Sequence, residues 1–325
     1  MKALVVGGGS IGKRHLRNLK AVGLGELALS EPDAARRQVI AAELAVRSFE
    51  SLDQGLDWSP DVIVIATPTH LHLEQATTVA RRGIPLFVEK PLSHTAGGLS
   101  TLVELLERKR ILSMVGCNMR FHPGPAQVKQ LLRENRIGRV LFARVHTGSY
   151  LPEWRPGTNY RENYAASEET GGGCILDCIH EIDLTRWYLG DVHEVFCMAD
   201  HLSSLEIRTE DVAALMCRHA SGALSEIHLD YVQRSYERGC QIVGEQGTIA
   251  WDFNSPEVRL YEAATKQWTA FPHPASWDVN QMYVDEMRHF VECLRDGQPT
   301  MLPITDAVSV MQIAFAAKAS AREVR

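Results

Sequence analysis

The first 120 or so residues alternate short apolar runs with segments whose apolar residues recur at helical spacing. This alternation is typical of βαβ units around a parallel sheet. The runs that we interpret as strands are Lys2 to Val6, Glu26 to Ser30, Val62 to Ala66, Leu86 to Val88 and Leu112 to Gly116. The segments with helical spacing are Ile11 to Val22, Pro32 to Glu43, Leu71 to Arg82 and Gly98 to Lys109. Five strands joined by four crossovers predict a doubly wound parallel sheet.

The pattern changes after Pro123, where a helical segment at about 125–134 is followed by longer runs of alternating apolar and polar residues. The runs are Arg139 to Ser149, Asp211 to His219, Ala223 to Val232 and Cys240 to Val243. They predict a mainly antiparallel, open sheet. Further helices are predicted at Ile179 to Leu189 and Asp306 to Arg322. We expect an α/β Rossmann domain over 1–121 and an α+β domain over 122–303, with a helix at about 304–322 packing back on the first domain.

Composition limits the class of protein. The chain has 325 residues, 45% apolar and 23% charged, as expected for a globular protein of about two domains. Its net charge of −6 offers no basic stripe for a nucleic acid. Seven cysteines without a CxxC pair favour reduced thiols and a cytoplasmic location over a disulfide framework. We find no signal-peptide pattern and no apolar run of membrane-spanning length, and we expect no membrane partner.

A glycine-rich turn, Gly7-Gly8-Gly9-Ser10-Ile11-Gly12, follows the first predicted strand and opens the first helix. It matches GxGxxG in the strand-to-helix context in which that motif binds a dinucleotide. Gly7 permits the tight turn, Gly9 lets the backbone approach a pyrophosphate, and Gly12 allows close packing of helix on strand. The backbone at Ser10 and Ile11 would then hold the anion at the helix N-terminus. The alternative is a glycine-rich turn without a ligand.

Glu31 ends the second predicted strand, nineteen positions after Gly12. An acidic residue at this position typically accepts hydrogen bonds from the ribose hydroxyls of NAD, so NAD is the expected cofactor. Ser30, Arg36 and Arg37 are near enough in the sequence to hold a 2′-phosphate, which leaves NADP open. The alternative for Glu31 is a solvated turn residue.

Three further motifs accompany this turn. They are Ala66-Thr67-Pro68-Thr69-His70-Leu71-His72, Glu89-Lys90-Pro91, and Gly171-Gly172-Gly173 followed by Asp177, His180 and Asp183. In this order and spacing they resemble the Gfo/Idh/MocA family of glucose–fructose oxidoreductases and inositol dehydrogenases, over residues 1 to about 190. The resemblance implies an oxidoreductase in which Lys90 and His180 form the catalytic centre beside the nicotinamide. It also leads us to expect cofactor contacts from Thr67, Pro68, His72, Glu89 and Lys90.

The residue types suit hydride transfer. Oxidation of an alcohol requires removal of the hydroxyl proton, for which a neutral imidazole is a suitable base. A lysine ammonium can stabilise the developing alkoxide. Asp177 precedes His180 by three positions, one fewer than in many family members, and Asp183 follows it by three. We predict a catalytic role for Asp177, while either carboxylate is a candidate partner of His180.

A predicted loop at 154–161 combines aromatic, amide and cationic groups, which suits a polyol or an anionic substituent. A charged surface loop is the alternative. The residues that we expect to bind substrate are Arg120, Arg155, Tyr160, Arg161, Asp177 and His180.

The predicted function is NAD(P)-dependent interconversion of a secondary alcohol and a ketone on a sugar, inositol, sugar acid or nucleotide sugar. Two alternatives stay open: an NAD-dependent glycoside hydrolase with transient oxidation, and a non-catalytic protein that senses a cofactor or ligand. We predict no metal, since His70 and His72 have no third ligand near them in the sequence. An open sheet offers a face for a homodimer or homotetramer.

Overall fold

The computed structural model describes residues 1–155 and 157–323 and divides the chain into two compact units. The first unit comprises Met1–Asn118 and Val279–Val308, and the second comprises Met119–Asp278 and the segment from Ser309 onward. Residues 279–303 therefore lie in the first unit, whereas the sequence analysis assigned them to the second domain. The reason is packing: the Tyr283 ring lies 4.2 Å from the Arg14 guanidinium, and the Phe290 ring lies 5.6 Å from that of Phe87.

The first unit is built on a six-stranded parallel sheet. Its strands are β1 (Lys2–Val6), β2 (Glu26–Ser30), β3 (Arg47–Phe49), β4 (Val62–Ile65), β5 (Leu86–Glu89) and β6 (Ser113–Gly116). The spatial order β3-β2-β1-β4-β5-β6 is that of a Rossmann fold, and its direction reverses between β1 and β4. The doubly wound prediction is confirmed. Only β3 was not predicted, because its three residues, Arg-Ser-Phe, contain no apolar run.

Helices connect these strands. They are α1 (Ser10–Ala21), α2 (Ala34–Leu44), α3 (Leu52–Asp57), α4 (Thr69–Arg82) and α5 (Leu99–Lys109). Side-chain caps begin two of them: Asp33 accepts a hydrogen bond from the Arg36 N–H before α2, and Ser51 accepts one from the Gln54 N–H before α3. All four residues of β4 are buried, as expected for a central parallel strand with both faces covered.

The second unit contains an eight-stranded sheet. Its strands are β7 (Val140–Gly148), β8 (Val192–Asp200), β9 (Val212–His219), β10 (Leu224–Asp230), β11 (Glu237–Gly244), β12 (Gly247–Asp252), β13 (Glu257–Glu262) and β14 (Gln267–Pro272). The order is β14-β13-β12-β11-β7-β10-β9-β8, and every neighbouring pair is antiparallel except β7 and β10. The predicted mainly antiparallel sheet is confirmed. Buried and exposed residues alternate along β9, which shows that one face of the sheet is covered.

The remaining helices are α6 (Pro123–Arg133), α7 (Cys174–Asp177), α8 (Ile179–Leu189), α9 (Gln281–Asp296) and α10 (Ile304–Glu323). Helix α8 has the predicted bounds. Helix α10 begins in the first unit, where the Ile304 N–H donates to Ser113 Oγ at 3.2 Å, and continues in the second, where the Cys197 N–H donates to Ser320 Oγ at 3.0 Å. Across the described residues, every helix is too short or too polar to cross a membrane.

Candidate active site

The glycine turn after β1 has the backbone geometry that its motif predicts. Gly7 has a φ of 101°, a region that favours glycine, and a Cβ there would lie 2.6 Å from the Ala66 carbonyl oxygen. Gly12 approaches the turn so closely that a Cβ would lie 1.9 Å from the Gly7 carbonyl oxygen. The turn therefore requires glycine at both positions for α1 to begin directly after β1.

The N-terminus of α1 fits an anion. Gly9 is the N-cap, no side chain of the described residues caps this helix, and its first turn holds no acidic residue. A Cβ on Gly9 would meet no atom within 4 Å, so the backbone borders open space here. The N–H groups at the start of a helix and its positive dipole end together bind phosphate oxygens. The turn at Ser10 and Ile11 thus fits the pyrophosphate of a dinucleotide.

The Glu31 carboxylate lies against the glycine turn and is only 3% exposed. Its Oε2 accepts a hydrogen bond from the Gly8 N–H at 2.7 Å, and its Oε1 accepts one from the Asp33 N–H at 3.0 Å. Each carboxylate oxygen retains a further lone pair, which fits the ribose hydroxyls of NAD. Arg37 donates to the Glu31 carbonyl at 2.6 Å, and Arg36 lies 3.4 Å from Glu31 Oε2. Both arginines considered for a 2′-phosphate therefore face Glu31, which favours NAD over NADP.

His72 connects the loops that follow β4 and β5. Its ring is fully buried, with Nδ1 2.8 Å from the Pro91 carbonyl oxygen and Nε2 2.8 Å from that of Thr67. Burial lowers the pKa of His72, whereas its hydrogen bonds to the Pro91 and Thr67 carbonyl groups act in the opposite direction. Thr67 Oγ1 also donates to Gln75 at 2.7 Å, and Pro68 is the N-cap of α4. These contacts fix the conformation of the loop after β4, which we predicted to bind the cofactor.

Glu89, Lys90 and Pro91 lie at the carboxyl end of β5, and the bond between Lys90 and Pro91 is cis. Glu89 is buried; its Oε1 is 2.5 Å from His15 Nε2, and its Oε2 accepts a hydrogen bond from the Lys90 N–H at 3.2 Å. Lys90 itself is half-buried. Open α/β sheets bind ligands outside the carboxyl ends of their strands, which is where Lys90 lies in the first unit.

In the second unit, Asp177 is held by two phenols. The Tyr164 hydroxyl donates to Asp177 Oδ1 at 2.9 Å, and the Tyr231 hydroxyl donates to Oδ2 at 3.2 Å. Burial raises the pKa of Tyr231 well above its usual value, and the Asp177 charge acts in the same direction. Tyr231 therefore remains a donor at neutral pH. The two hydrogen bonds fix the carboxyl group at the end of α7.

Helix α8 buries His180, Glu181 and Asp183 among its polar side chains. Asp183 receives two hydrogen bonds from Arg120, at 2.9 Å from Nε and 2.7 Å from Nη2. Glu181 pairs with Arg238, with 2.8 Å between Oε1 and Nε. Of the two candidate partners of His180, Asp183 is thus engaged by an arginine and Asp177 by two tyrosines. Because Arg120 is only 4% exposed and bound to Asp183, we leave it out of the substrate site proposed below.

The loop predicted to bind substrate divides into two groups. The exposed Arg155 lies over the Tyr164 ring, 5.4 Å from its centroid, and that tyrosine also binds Asp177. Arg161 instead pairs with Glu206, whose carboxylate is 2.6 Å from Arg161 Nε, and the hydroxyl of Tyr160 accepts a hydrogen bond from the Glu206 N–H at 3.3 Å. Of Arg155, Tyr160 and Arg161, it is therefore Arg155 that contacts a residue bound to Asp177. Pro156, in the same loop, lies outside the described residues.

Residues 1–155 and 157–323 contain no group of three or more His, Cys, Asp or Glu side chains that could hold a metal ion. All seven cysteines are buried free thiols.

Four residues that the sequence analysis did not assign to the site contribute to these clusters. They are His15, Tyr164, Tyr231 and Arg238. Tyr231 directly follows β10, and a polar aromatic residue at the end of an alternating strand was the one local signal that could have indicated it. The other three offer no local pattern, because their partners lie elsewhere in the chain.

Family models match both units of the chain. The model described as "Oxidoreductase family, NAD-binding Rossmann fold" matches residues 1–117, and the "GFO/IDH/MocA C-terminal domain" model matches residues 126–250. The chain belongs to the GFO/IDH/MocA family. This GFO/IDH/MocA protein is therefore an oxidoreductase with NAD as its cofactor, and its glycine turn and Glu31 are in the unit that the NAD-binding model covers.

Named relatives align over nearly the whole chain. Myo-inositol 2-dehydrogenase of Thermotoga maritima is 26% identical, over 100% of this chain and 97% of its own length. Scyllo-inositol 2-dehydrogenase (NAD(+)) of Bacillus subtilis is 23% identical, over 99% and 94%. A solved structure of levoglucosan dehydrogenase with NADH has a TM-score of 0.91 at 22% identity, over 99% of this chain and 97% of that one. This last similarity shows the shared fold.

Proposed function

We propose that this GFO/IDH/MocA protein interconverts a secondary alcohol and a ketone on a sugar, inositol, sugar acid or nucleotide sugar. The relatives named above act on inositols and levoglucosan, which are cyclic molecules rich in hydroxyl groups. The observation that carries the proposal is the glycine turn with Glu31 against it, since this arrangement fits the pyrophosphate and ribose of NAD.

His180 is the proposed general base. When bound, NAD accepts the hydride from the carbon that carries the hydroxyl group. His180 removes the hydroxyl proton during oxidation and returns it during reduction, a role for which an imidazole is suited near neutral pH. The Lys90 ammonium donates a hydrogen bond to the oxygen on which alkoxide charge develops.

Asp177 and Arg155 are the proposed substrate-binding groups of the second unit. The carboxyl group of Asp177 is fixed by Tyr164 and Tyr231, and a carboxylate held in one orientation is suited to bind a substrate hydroxyl or to orient an imidazole. Arg155 stacks on Tyr164 and is exposed, so its guanidinium can bind a carboxylate or phosphate. Arg161 and Tyr160 remain weaker candidates because their charged neighbour is Glu206.

The test is a substrate screen with purified enzyme, NAD and NADP across inositols, aldoses, uronic acids and nucleotide sugars. We expect steady NADH formation with at least one polyol, and a large loss of turnover in His180→Ala and Lys90→Met. Two exposed residues provide matched controls, His193→Ala and Lys20→Met, which should leave turnover unchanged. Release of an aglycone without net NADH would instead indicate a glycoside hydrolase. Ligand binding without turnover would indicate a sensor, and either result would overturn the proposal.

We also propose a homo-oligomer, either a dimer or a tetramer, that covers the outer face of the eight-stranded sheet. Phe196 and Met216 lie opposite each other on β8 and β9, and Met198 is on the same face; they are 49%, 42% and 61% exposed. Exposed apolar side chains grouped in this way are typical of an interface. Light scattering should show an oligomer in the wild type and a smaller species in Phe196→Asp; a monomeric wild type would contradict this.

The seven cysteines form no disulfide, which supports a cytoplasmic location.

A further inference from the structure

Glu286 is an unusual residue in the interior of the first unit. It lies on α9, it is 0% exposed, and neither of its carboxyl oxygens has a hydrogen-bond partner in the described residues. An ionised carboxylate without a partner in such a place is strongly disfavoured, because burial removes its hydration and nothing replaces it. Glu286 is therefore neutral, or it shares a proton with a neighbour.

The packing around Glu286 identifies that neighbour as Glu89. Phe290, one turn after Glu286 on α9, packs its ring against Phe87 at 5.6 Å, and Phe87 meets the His15 ring edge-on at 5.2 Å. Residues two apart share a face of a strand, and residues four apart share a face of a helix. Glu89 thus lies on the face of β5 that meets α9, and its charge acts directly on Glu286.

The other titratable and charged groups that face this pair come from three elements. His15 on α1 has Nε2 2.5 Å from Glu89 Oε1, and the Lys90 N–H donates to Glu89 Oε2 at 3.2 Å. On α9, Tyr283 lies within electrostatic range of Glu286, and Arg14 lies over its ring. Glu89 thus has two identified donors for its two oxygens, and each oxygen keeps a lone pair for a third. A protonated Glu286 would be able to supply that third donor.

We propose that Glu286 is a protonated carboxylic acid that donates a hydrogen bond to Glu89 and thereby positions the backbone of Lys90 at the end of β5. Glu286 is then a positioning residue, which acts on Lys90 through Glu89. Burial raises the pKa of Glu286 well above its usual value, and the charge of Glu89 raises it further. The consequence for turnover rests on the proposed role of Lys90, whereas the protonation of Glu286 does not.

Loss of this proton has a defined effect. At a pH high enough to ionise Glu286, two negative carboxylates face each other in the interior, and Glu89 loses one of the contacts that fix it. The enzyme should therefore lose turnover at high pH through this pair. Glutamine at position 286 keeps an N–H donor and cannot ionise, whereas leucine has a similar volume and supplies no donor.

Infrared spectroscopy tests the protonation directly. We expect the wild type at pH 8 to show the C=O stretch of a buried, protonated carboxyl group, and we expect Glu286→Gln to lack it. Glu292→Gln is the matched control, because Glu292 is an exposed residue of the same helix, and it should retain the band. A wild type without the band, or a band that persists in Glu286→Gln, would overturn the proposal whatever the fate of Lys90.

Turnover tests the positioning role. Glu286→Leu should lower kcat about fivefold, the effect of losing one hydrogen bond, with the Kd for NAD unchanged. Glu286→Gln should recover most of that loss and should remove the high-pH decline. If the infrared band behaves as expected but both variants keep the wild-type pH profile, Glu286 is not a positioning residue. If Lys90→Met retains full turnover, the catalytic proposal fails, and the infrared result stands by itself. Should Glu286→Leu fail to fold, Glu286→Gln still decides both points.

Discussion

Replacing Asp183 by Asn removes one charge from an ion pair that lies in the interior of the second unit. Asp183 is 0% exposed and Arg120 is 4% exposed, and two hydrogen bonds of 2.9 Å and 2.7 Å join them. Asparagine keeps the shape of the side chain but removes the negative charge that Asp183 places beside the buried guanidinium. Removing one partner of a buried ion pair typically costs about 3–5 kcal/mol.

We therefore expect Asp183→Asn to lower the free energy of unfolding by about 3–5 kcal/mol, measured in urea by tryptophan fluorescence. The double variant Arg120→Met with Asp183→Leu removes both charges and should recover much of this loss. The surface pair of Arg218 and Glu194, 3.0 Å apart, is the control; Glu194→Gln should cost less than about 1 kcal/mol. Turnover per folded molecule in Asp183→Asn should keep the wild-type pH dependence.

Two results would refute this reasoning. A loss of less than about 1 kcal/mol in Asp183→Asn would mean that the pair behaves as a surface pair. A shifted pH–rate profile in Asp183→Asn, with none in Asp177→Asn, would mean that Asp183 is the carboxylate that acts on His180.

Four further predictions follow from the described contacts. Glu31→Ala should weaken NAD binding more than NADP binding in calorimetry, and equal losses would remove Glu31 from the ribose site. His180→Ala should lower kcat by about 10²–10⁴ with the Kd for NAD unchanged; near-normal turnover would exclude it as the base. Arg155→Ala should raise the ratio of the KM for acidic substrates to the KM for neutral substrates, whereas Arg161→Ala should change this ratio little. An unchanged ratio in Arg155→Ala would contradict the proposed role of Arg155. Burial lowers the pKa of His122 from 6.5 to about 3, so the stability that its neutral form contributes is present above pH 6.5 and is lost as the pH falls towards 3. Between pH 6.5 and 3, the free energy of unfolding of His122→Gln should fall less steeply with decreasing pH than that of the wild type. The same pH dependence in both proteins would contradict this role for His122.

Short-range patterns in the sequence determined most of the elements and the cofactor turn. Helix α8 has the predicted bounds, Ile179 to Leu189. The strand β1 was evident because a central parallel strand is a continuous apolar run. The glycine turn was recognisable because its constraints, the positive φ of Gly7 and the close approach of Gly12, act within six residues. Each of these signals concerns neighbours along the chain.

The tertiary structure alone decided which polar groups meet. Arg120 binds Asp183, 63 positions away, and His15 lies against Glu89, 74 positions away. Glu286 lies on α9, a helix that the sequence analysis did not predict, and it is buried within reach of the charge of a second carboxylate, Glu89. The physical reason is that periodicity records how successive residues of one element alternate between core and solvent. The partner of a buried charge depends instead on how separate elements pack, which no local pattern encodes.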